Sequence, residues 1–457
     1  MGVVIEREEW ELNPLVYVFL FASCLASIFF YPYFSKSSST RASTASYPFD
    51  LGPTAPFLRF QRSFLLLYSL VSVIEGIHSV FGEYEYVQYG LSREQMVLVL
   101  AAGAAAALFI GTFSGILSDV IGARKACTLY CILHLLVGVL KSVSWLPNVW
   151  VASVCLAIAS SIFSFCFETW MVTEHEKQGH KQDMLGDTFW LMTFCESASL
   201  VGSQGLANLS VKDLRRGFSL PYASAALLAI IGVLYIRKEW KEWSGCQHTS
   251  IIGSYRKSFS SHVLQDKKIW TLAWAQGSIH FSLYAFWFLW APTIVADGRE
   301  VQLSQIYPCF IGSRMLGSTG FPWSYGMTSP VHNEDTLTIA YIVAGMALSI
   351  VAYDYQEIGV LVIVFCIFHA CVGFILPSLA RLRTMYLPNE LRGGMISLSL
   401  APANSAILLV LIEGGYHRKI ENSTIMALAA FGLFSAGGCI HMLRWWRKHP
   451  RQNWHDL

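Results

Sequence analysis

Ionisable side chains inside long apolar stretches are the residues of this sequence that could carry chemistry. Glu75 and His78 lie three residues apart in one apolar run, and Glu168 lies near the end of a later run. Because a charge at the centre of a bilayer costs at least about 2.5–3.5 kcal/mol, such residues are candidates for an ion or solute pathway. Residues at i and i+3 share a helix face, so His78 could tune Glu75 as a proton acceptor. The alternatives are a buried structural pair for Glu75 and His78, and a brace for the following loop in the case of Glu168.

The second half of the chain carries cationic and polar side chains in comparable positions. Arg314 has no acidic neighbour in its own apolar run, so it should face a cavity or a partner carboxylate. A planar guanidinium suits bidentate binding of an oxyanion, and a structural salt bridge is the alternative. Gln276, His280 and Tyr284 follow each other at intervals of four, which places them along one helix face. His369 is either another cavity residue or the partner in an interhelical hydrogen bond.

The candidate set follows from these positions. Glu196, His134 and Lys141 also lie in apolar runs and are weaker candidates. The sequence has no phosphate-binding loop, no HExxH, no paired CxxC and no GxSxG in a suitable context. We therefore predict no enzyme, no cofactor and no metal site. The residues predicted to bind substrate or to couple its movement are Glu75, His78, Glu168, Gln276, His280, Tyr284, Arg314 and His369.

The composition indicates what must position these side chains. Of the 457 residues, 54% are hydrophobic and 14% charged, whereas an ordinary globular domain carries about a quarter charged residues. This excludes a soluble multidomain enzyme, a disordered chain and a disulfide-rich secreted module. A net charge of +2 without a long basic tract gives no sign of a nucleic-acid partner. The partner that remains is the lipid bilayer, and the class is a polytopic membrane protein.

Thirteen apolar runs are long enough to span a bilayer, which needs about 20 residues of helix. Because lipid cannot satisfy backbone hydrogen bonds and no alternating pattern suggests barrel strands, we predict an all-α fold. The predicted spans cover about residues 14–34, 60–82, 95–117, 127–145, 149–172, 188–209, 221–236, 269–295, 304–321, 337–353, 358–379, 393–413 and 424–445.

The loops indicate the organisation of these spans. Acidic residues precede the first span, so it is predicted to be a retained anchor and not a signal peptide. Most Lys and Arg residues lie on the side that carries Arg124 and Lys125, which predicts that this side is cytoplasmic. The predicted units are 1–57 (anchor helix and cytoplasmic linker), 58–236 (six-helix bundle), 237–268 (central cytoplasmic loop) and 269–457 (six-helix bundle with cytoplasmic tail).

One local motif follows the run at 95–117. It reads Gly115-Ile-Leu-Ser-Asp119-Val-Ile-Gly122-Ala-Arg124-Lys125. Glycine allows close helix approach, and an aspartate here could pair with a basic group or cap a helix N-terminus. The motif resembles the loop signature of the major facilitator superfamily, apart from Val120 in place of the usual basic residue. The resemblance implies a cytoplasmic gating motif, and it implies two six-helix bundles around a central cavity.

Further segments resemble the molybdate-anion transporter-like branch of that superfamily, in a plant-type member. The similarity extends over about residues 57–412 and includes an extra N-terminal helix. It implies transport of a small inorganic oxyanion such as molybdate by alternating access. The matching segments are Phe57–Phe60, Phe167–Trp170 with Glu174-His175, Ala285–Pro292, Met315–Ser318, and the run with Pro377, Arg383, Pro388 and Arg392.

Three functions compete. Cationic and acidic candidates together favour a proton-coupled anion transporter, in the plasma membrane more than in an endomembrane. A transporter-like receptor or scaffold, with partners on 237–268, is the alternative, and it is favoured by Ser153 and Leu400 where the resemblance leads us to expect polar or charged residues. An intramembrane enzyme is disfavoured because no catalytic set is present.

Overall fold

The computed structural model describes residues 10–42, 55–80, 86, 89–142, 146–180, 182–211, 219–239, 255, 259, 266–296, 301–326, 330–353 and 357–448. Helix α1 is Leu15–Ala42. The next six are α2 (Ala55–Val80), α3 (Arg93–Ile121, with a π-helical turn at Ala107–Gly111), α4 (Ala123–Ser142), α5 (Leu146–Lys177), α6 (Leu185–Val211) and α7 (Ser219–Glu239). The last six are α8 (Lys267–Ile294), α9 (Leu303–Gly326), α10 (Pro330–Ala352), α11 (Ile358–Tyr386), α12 (Arg392–Ser399, Ala401–Leu409 and the π-helical Val410–Tyr416) and α13 (Asn422–Lys448).

The thirteen predicted spans correspond to these thirteen helices, so the all-α fold is confirmed. Apart from an isolated bridge between Trp10 and Val301, the described residues contain no β-structure. Nine helices in the described ranges are long and apolar enough to cross a membrane by length and composition. Four helices are not among the nine. The apolar part of α1, Leu15–Phe30, is shorter, and α6, α8 and α9 carry polar or charged side chains that belong to the site below. The bundle bounds and the 237–268 loop stay predictions, since most of that loop lies outside the described residues.

Each half of the chain packs as a bundle of six helices. In the first half, α2 packs on α6 and α7, while α4 packs on α5 and α7. Its core contains Phe64, Tyr130 and Phe167, which are almost completely buried. In the second half, α13 packs on α8 and α10, and α11 packs on α9 and α10. Phe286 and Phe365 lie at the centre of that core, with ring centroids 5.0 Å apart.

The extra helix α1 packs against α9, in the second bundle, although it precedes the first bundle in sequence. The hydroxyl of Tyr17 donates to the carbonyl oxygen of Gln305. Near the other end of α9, Trp323 Nε1 donates to Ser27 Oγ at 3.0 Å. The two helices therefore run parallel. The predicted helix is present, and its place against the second half is a finding of the structure.

The interface between the halves is formed by α3 against α12 and by α6 against α9 and α11. We call the end that carries Arg383 and Arg392 the basic end. At the opposite end, a Cβ on Gly415 would lie 2.9 Å from Val97 Cγ1, and Gln204 Nε2 donates to the carbonyl oxygen of Ser304 at 2.7 Å. The halves thus touch at both ends. A small cleft near the basic end is lined by Gln276, Arg383, Met395 and Ser399, among others.

Candidate functional site

An ion network joins the two halves at the basic end. Glu168 of α5 accepts from Arg383 Nε at 2.9 Å and from Arg392 Nη1 at 3.1 Å, and Arg383 Nη2 donates to its other oxygen. The three side chains are 12%, 8% and 0% exposed, respectively. Arg383 also donates to Gln276 Oε1. Two predicted residues, Glu168 and Gln276, therefore lie in one network, in which two guanidinium groups share a single carboxylate.

Asp119 makes a second contact between the halves at the same end. Its carboxylate accepts from the backbone N–H of Gly393 at 3.0 Å and of Gly394 at 2.7 Å, in the first turn of α12. These amides have no intrahelical partner and carry the positive end of the helix dipole. The Tyr255 hydroxyl also donates to Asp119, at 3.0 Å. Two roles were predicted for Asp119, pairing with a basic group and capping a helix N-terminus. In the structure Asp119 caps the N-terminus of α12.

Tyr255 stays a hydrogen-bond donor in this contact. Burial, followed by the neighbouring carboxylate of Asp119, raises the pKa of Tyr255 above its ordinary value. Because a raised pKa keeps the phenol protonated to higher pH, the O–H remains available to Asp119 throughout the physiological range.

The glycines of the motif have separate roles. A Cβ on Gly115 would lie 2.1 Å from the carbonyl oxygen of Gly393, so only glycine lets α3 approach α12 this closely. Gly122 has a φ of +109° and ends α3, a conformation that side-chain-bearing residues rarely adopt. Arg124 and Lys125 follow in the first turn of α4, and Lys125 is exposed.

Gly115→Ala is expected to keep the two halves of the protein apart at the basic end. Overpacking costs about 1–3 kcal/mol, and separation of the halves relieves this clash, so the closed population should fall about 5- to 150-fold. The measurement is the rate at which a membrane-impermeant maleimide labels a cysteine introduced as Ser399→Cys, which lines the cleft near the basic end. Gly205→Ala is the matched control, since a Cβ there meets nothing within 4 Å. Equal labelling rates in the two variants would contradict the prediction.

A buried ion pair crosses the interface between α6 and α9. Arg314 Nη2 donates to Glu196 Oε1 at 2.6 Å, and the Tyr68 hydroxyl of α2 donates to Glu196 Oε2 at 2.7 Å. Arg314 is only 7% exposed. No acidic residue lies near Arg314 in its own apolar run, so a partner carboxylate from another helix was one of the two expectations. Glu196, a weak candidate by sequence, is that partner.

His369 lies in an aromatic enclosure on α11. Its ring centroid is 4.4 Å from that of Phe286, 5.4 Å from Trp287, 5.7 Å from Phe310 and 5.3 Å from Phe368. Both ring nitrogens are buried without a hydrogen-bond partner among the described residues. The predicted alternative, an interhelical hydrogen bond, is therefore not found there.

Glu75 pairs with a different histidine from the one predicted. Its carboxylate accepts from Ser160 Oγ at 2.9 Å and from the Tyr130 hydroxyl at 3.2 Å, and His134 Nε2 lies 3.1 Å from Oε2. His78 instead stacks on Tyr222 of α7, with centroids 5.6 Å apart. The i, i+3 spacing relates residues within one helix only. The imidazole ring that reaches the Glu75 carboxylate belongs to His134, on α4.

The predicted stripe on α8 is spread along the interface. Gln276 joins the ion network, His280 lies beside the side chain of Asn404 on α12, and Tyr284 stacks with Phe288 at 6.4 Å. The candidates therefore form several clusters instead of one site. Sequence reasoning missed Arg383 and Arg392 as site residues, although Arg383, a cation with no acidic residue in its own helix, was a usable signal.

Two six-helix bundles packed against each other make up a fold of the major facilitator type, and solved structures share this fold. An Escherichia coli fucose:proton symporter superposes with a TM-score of 0.64 at 12% identity, covering 85% of this chain and 99% of that one. A bacterial homologue of the iron transporter ferroportin, in an outward-facing state, gives 0.67 at 14% identity, with 84% and 99% covered. A human organic anion transporter gives 0.60 at 10% identity, with 83% and 99% covered.

The chain belongs to the MFS_5 family, whose model is described as sugar transporters with 12 TM segments and matches residues 16–374. A molybdate-anion transporter from Takifugu rubripes is 22% identical over 414 residues, covering 85% of each protein. The corresponding protein of Xenopus laevis is 23% identical over 395 residues, covering 84% of this chain and 86% of its own. The resemblance drawn from the sequence motifs is confirmed, and the protein is a multi-pass transporter-family membrane protein.

Proposed function

We propose that this protein transports a small inorganic oxyanion such as molybdate, by alternating access between its two halves and together with protons. The observation that carries the proposal is Arg314, whose buried guanidinium lies at the interface between the halves. A guanidinium recognises oxyanions through parallel N–H donors. In this fold, substrates bind near the bilayer midplane between the two halves.

The contacts between the halves support an alternating mechanism. At the basic end they are charged and hydrogen-bonded, through Glu168 with two arginines and Asp119 with the first turn of α12. Water can replace such contacts when the end opens, because it solvates both the charges and the amides. At the opposite end, Gly415 lies against Val97, and this small apolar contact can separate without stranding a charge.

The substrate class is the point on which the family description and the relatives differ. The family model is described as sugar transporters, whereas the relatives are named molybdate-anion transporters. An oxyanion is favoured here because a buried arginine lies at the interface, and a histidine whose ring nitrogens have no partner among the described residues lies within range of its charge. A neutral sugar would leave the charge of Arg314 without a counterpart when Glu196 moves away.

Uptake into proteoliposomes tests the proposal. We expect saturable uptake of radiolabelled molybdate, competed by sulfate but not by fucose, and accelerated by an inward proton gradient. Arg314→Ala should reduce uptake to background, while Arg93→Ala, an exposed cation at the start of α3, should retain it.

Three outcomes would contradict parts of the proposal. Uptake of fucose and not of molybdate would show that the substrate is a sugar and not an oxyanion. A rate of uptake that does not change with the imposed pH gradient would show that transport is not coupled to protons. Binding without flux for every solute would favour the receptor or scaffold function.

A further inference from the structure

Glu196 occupies only part of the binding edge of Arg314. Its Oε1 accepts from Nη2 at 2.6 Å, and the Nε of Arg314 is buried without a hydrogen-bond partner among the described residues. A guanidinium commonly binds a carboxylate or another oxyanion through two parallel N–H donors. One donor of Arg314 is therefore used by the protein and another is left over, although an unsatisfied buried donor is unfavourable.

Two polar side chains of the second half lie within range of the charge of Arg314. The charge of Arg314 acts on both His369 and Tyr307. The two ring nitrogens of His369 are unpartnered and buried, and one of them is an N–H donor in the neutral ring. Anion-recognising groups thus come from α9 and α11 of the second half, whereas the carboxylate that competes for them comes from α6 of the first half.

We propose that the transported oxyanion replaces Glu196 at Arg314, and that Glu196 binds a proton when it is displaced. This inference rests on the proposed function and assigns its coupling residue. In the exchange, the anion oxygens accept hydrogen bonds from Nη2 and Nε of Arg314, and no covalent bond to the anion forms. One O–H bond forms on the Glu196 carboxylate and one O–H bond breaks in a hydronium ion, which leaves water.

Protonation follows from the surroundings of Glu196. A carboxylate that loses its guanidinium partner in a buried interface is strongly destabilised, and a proton removes that cost. Tyr68 of α2 still hydrogen-bonds its Oε2. On α7, Tyr222 and Tyr235 contact His78 and Ser63 instead, and Arg237 and Lys238 are exposed at its end. The other titratable groups that bond to this pair or interact with its charge are Tyr68 of α2, Tyr307 of α9 and His369 of α11.

The exchange couples binding of the anion to binding of a proton, and the coupling is favourable. Because the exchange takes up a proton, the affinity for the anion rises as pH falls. Because binding of the anion and binding of the proton are linked, each favours the other by the same factor. Arg314 and Glu196 lie on opposite halves, so the exchange also breaks an ionic contact that holds the halves together.

Molybdate binding by the purified full-length protein tests the inference. Measured between about pH 5 and pH 8, the wild-type affinity should rise on acidification, by at most about tenfold per pH unit. Glu196→Gln cannot take up the proton, so it should bind molybdate with an affinity that changes less than about twofold over that range. Glu413→Gln removes an exposed pair with Lys419 and should behave as the wild type.

A second measurement needs no variant and stays informative if Glu196→Gln does not fold. Molybdate added to the wild type in weakly buffered solution should remove about one proton from solution for each anion bound. Proton release, or no proton exchange, would overturn the inference, as would Glu196→Gln with the pH dependence of the wild type. Absence of molybdate binding by the wild type at every pH would instead overturn the proposed function, and with it this assignment.

Discussion

Replacing Glu168 with glutamine is expected to lower the free energy of unfolding by about 3–5 kcal/mol, because one carboxylate serves two buried cations. Arg383 and Arg392 would keep their charges at side-chain exposures of 8% and 0%. A neutral amide supplies one acceptor oxygen and no compensating charge. The measurement is thermal and denaturant unfolding of the purified protein in detergent.

Glu176→Gln is the matched control for this change. Glu176 lies two turns further along α5, is exposed, and accepts from Asn389 Nδ2 at 2.7 Å. Surface substitutions of this kind usually stay within about 0.5 kcal/mol. The double variant Glu168→Gln/Arg383→Gln should recover part of the loss, since it removes one unpaired cation. Equal effects of Glu168→Gln and Glu176→Gln would show that the network does not hold the basic end together.

Gly317→Ala is expected to destabilise the second bundle, at the upper end of the about 1–3 kcal/mol that overpacking costs. A Cβ on Gly317 would lie 1.9 Å from the carbonyl oxygen of Ala370, and a Cβ on Gly373 would lie 2.0 Å from that of Arg314. The clash is with backbone and lies inside one bundle, so neither a rotamer change nor opening of the interface relieves it. Unfolding in detergent measures the stability, and molybdate binding reports the displacement of Arg314 and His369 as α9 and α11 separate.

Gly438→Ala provides the comparison for that prediction. Gly438 is an exposed glycine of α13, and a Cβ there meets nothing within 4 Å. Because alanine favours a helix over glycine by up to about 1 kcal/mol, this variant should be neutral or more stable. If Gly317→Ala were as stable as Gly438→Ala, the close approach of α9 to α11 would not exist in the folded protein.

The helices were predictable because a bilayer leaves an apolar chain few choices. Every backbone group must be satisfied within the segment, so each long apolar run becomes a helix. The predicted spans are shorter than the observed helices. The run predicted at 149–172, for example, belongs to a helix of 32 residues, Leu146–Lys177. Helices continue past the apolar core because their polar ends are stable in the interfacial region.

The site was predictable only where it depends on local spacing. Gly115 and Asp119 are one helical turn apart, and both meet the start of α12. The spacing of Glu75 and His78 placed them on one face but did not identify His134 as the partner. Glu196 was given little weight because nothing near it in sequence shows that it faces Arg314.

The sequence by itself determined that this protein is a helical membrane protein of a transporter family, and it identified some of the charged side chains that are buried, such as Glu168 and Arg314. Only the tertiary structure decided how those charges pair, and that the first helix packs on the second half. Arg314 is 118 residues from Glu196 along the chain, and Arg383 is 215 residues from Glu168. Periodicity relates a residue to neighbours three or four positions away. A partner more than a hundred positions away is chosen by how the helices pack against one another, a property of the whole chain.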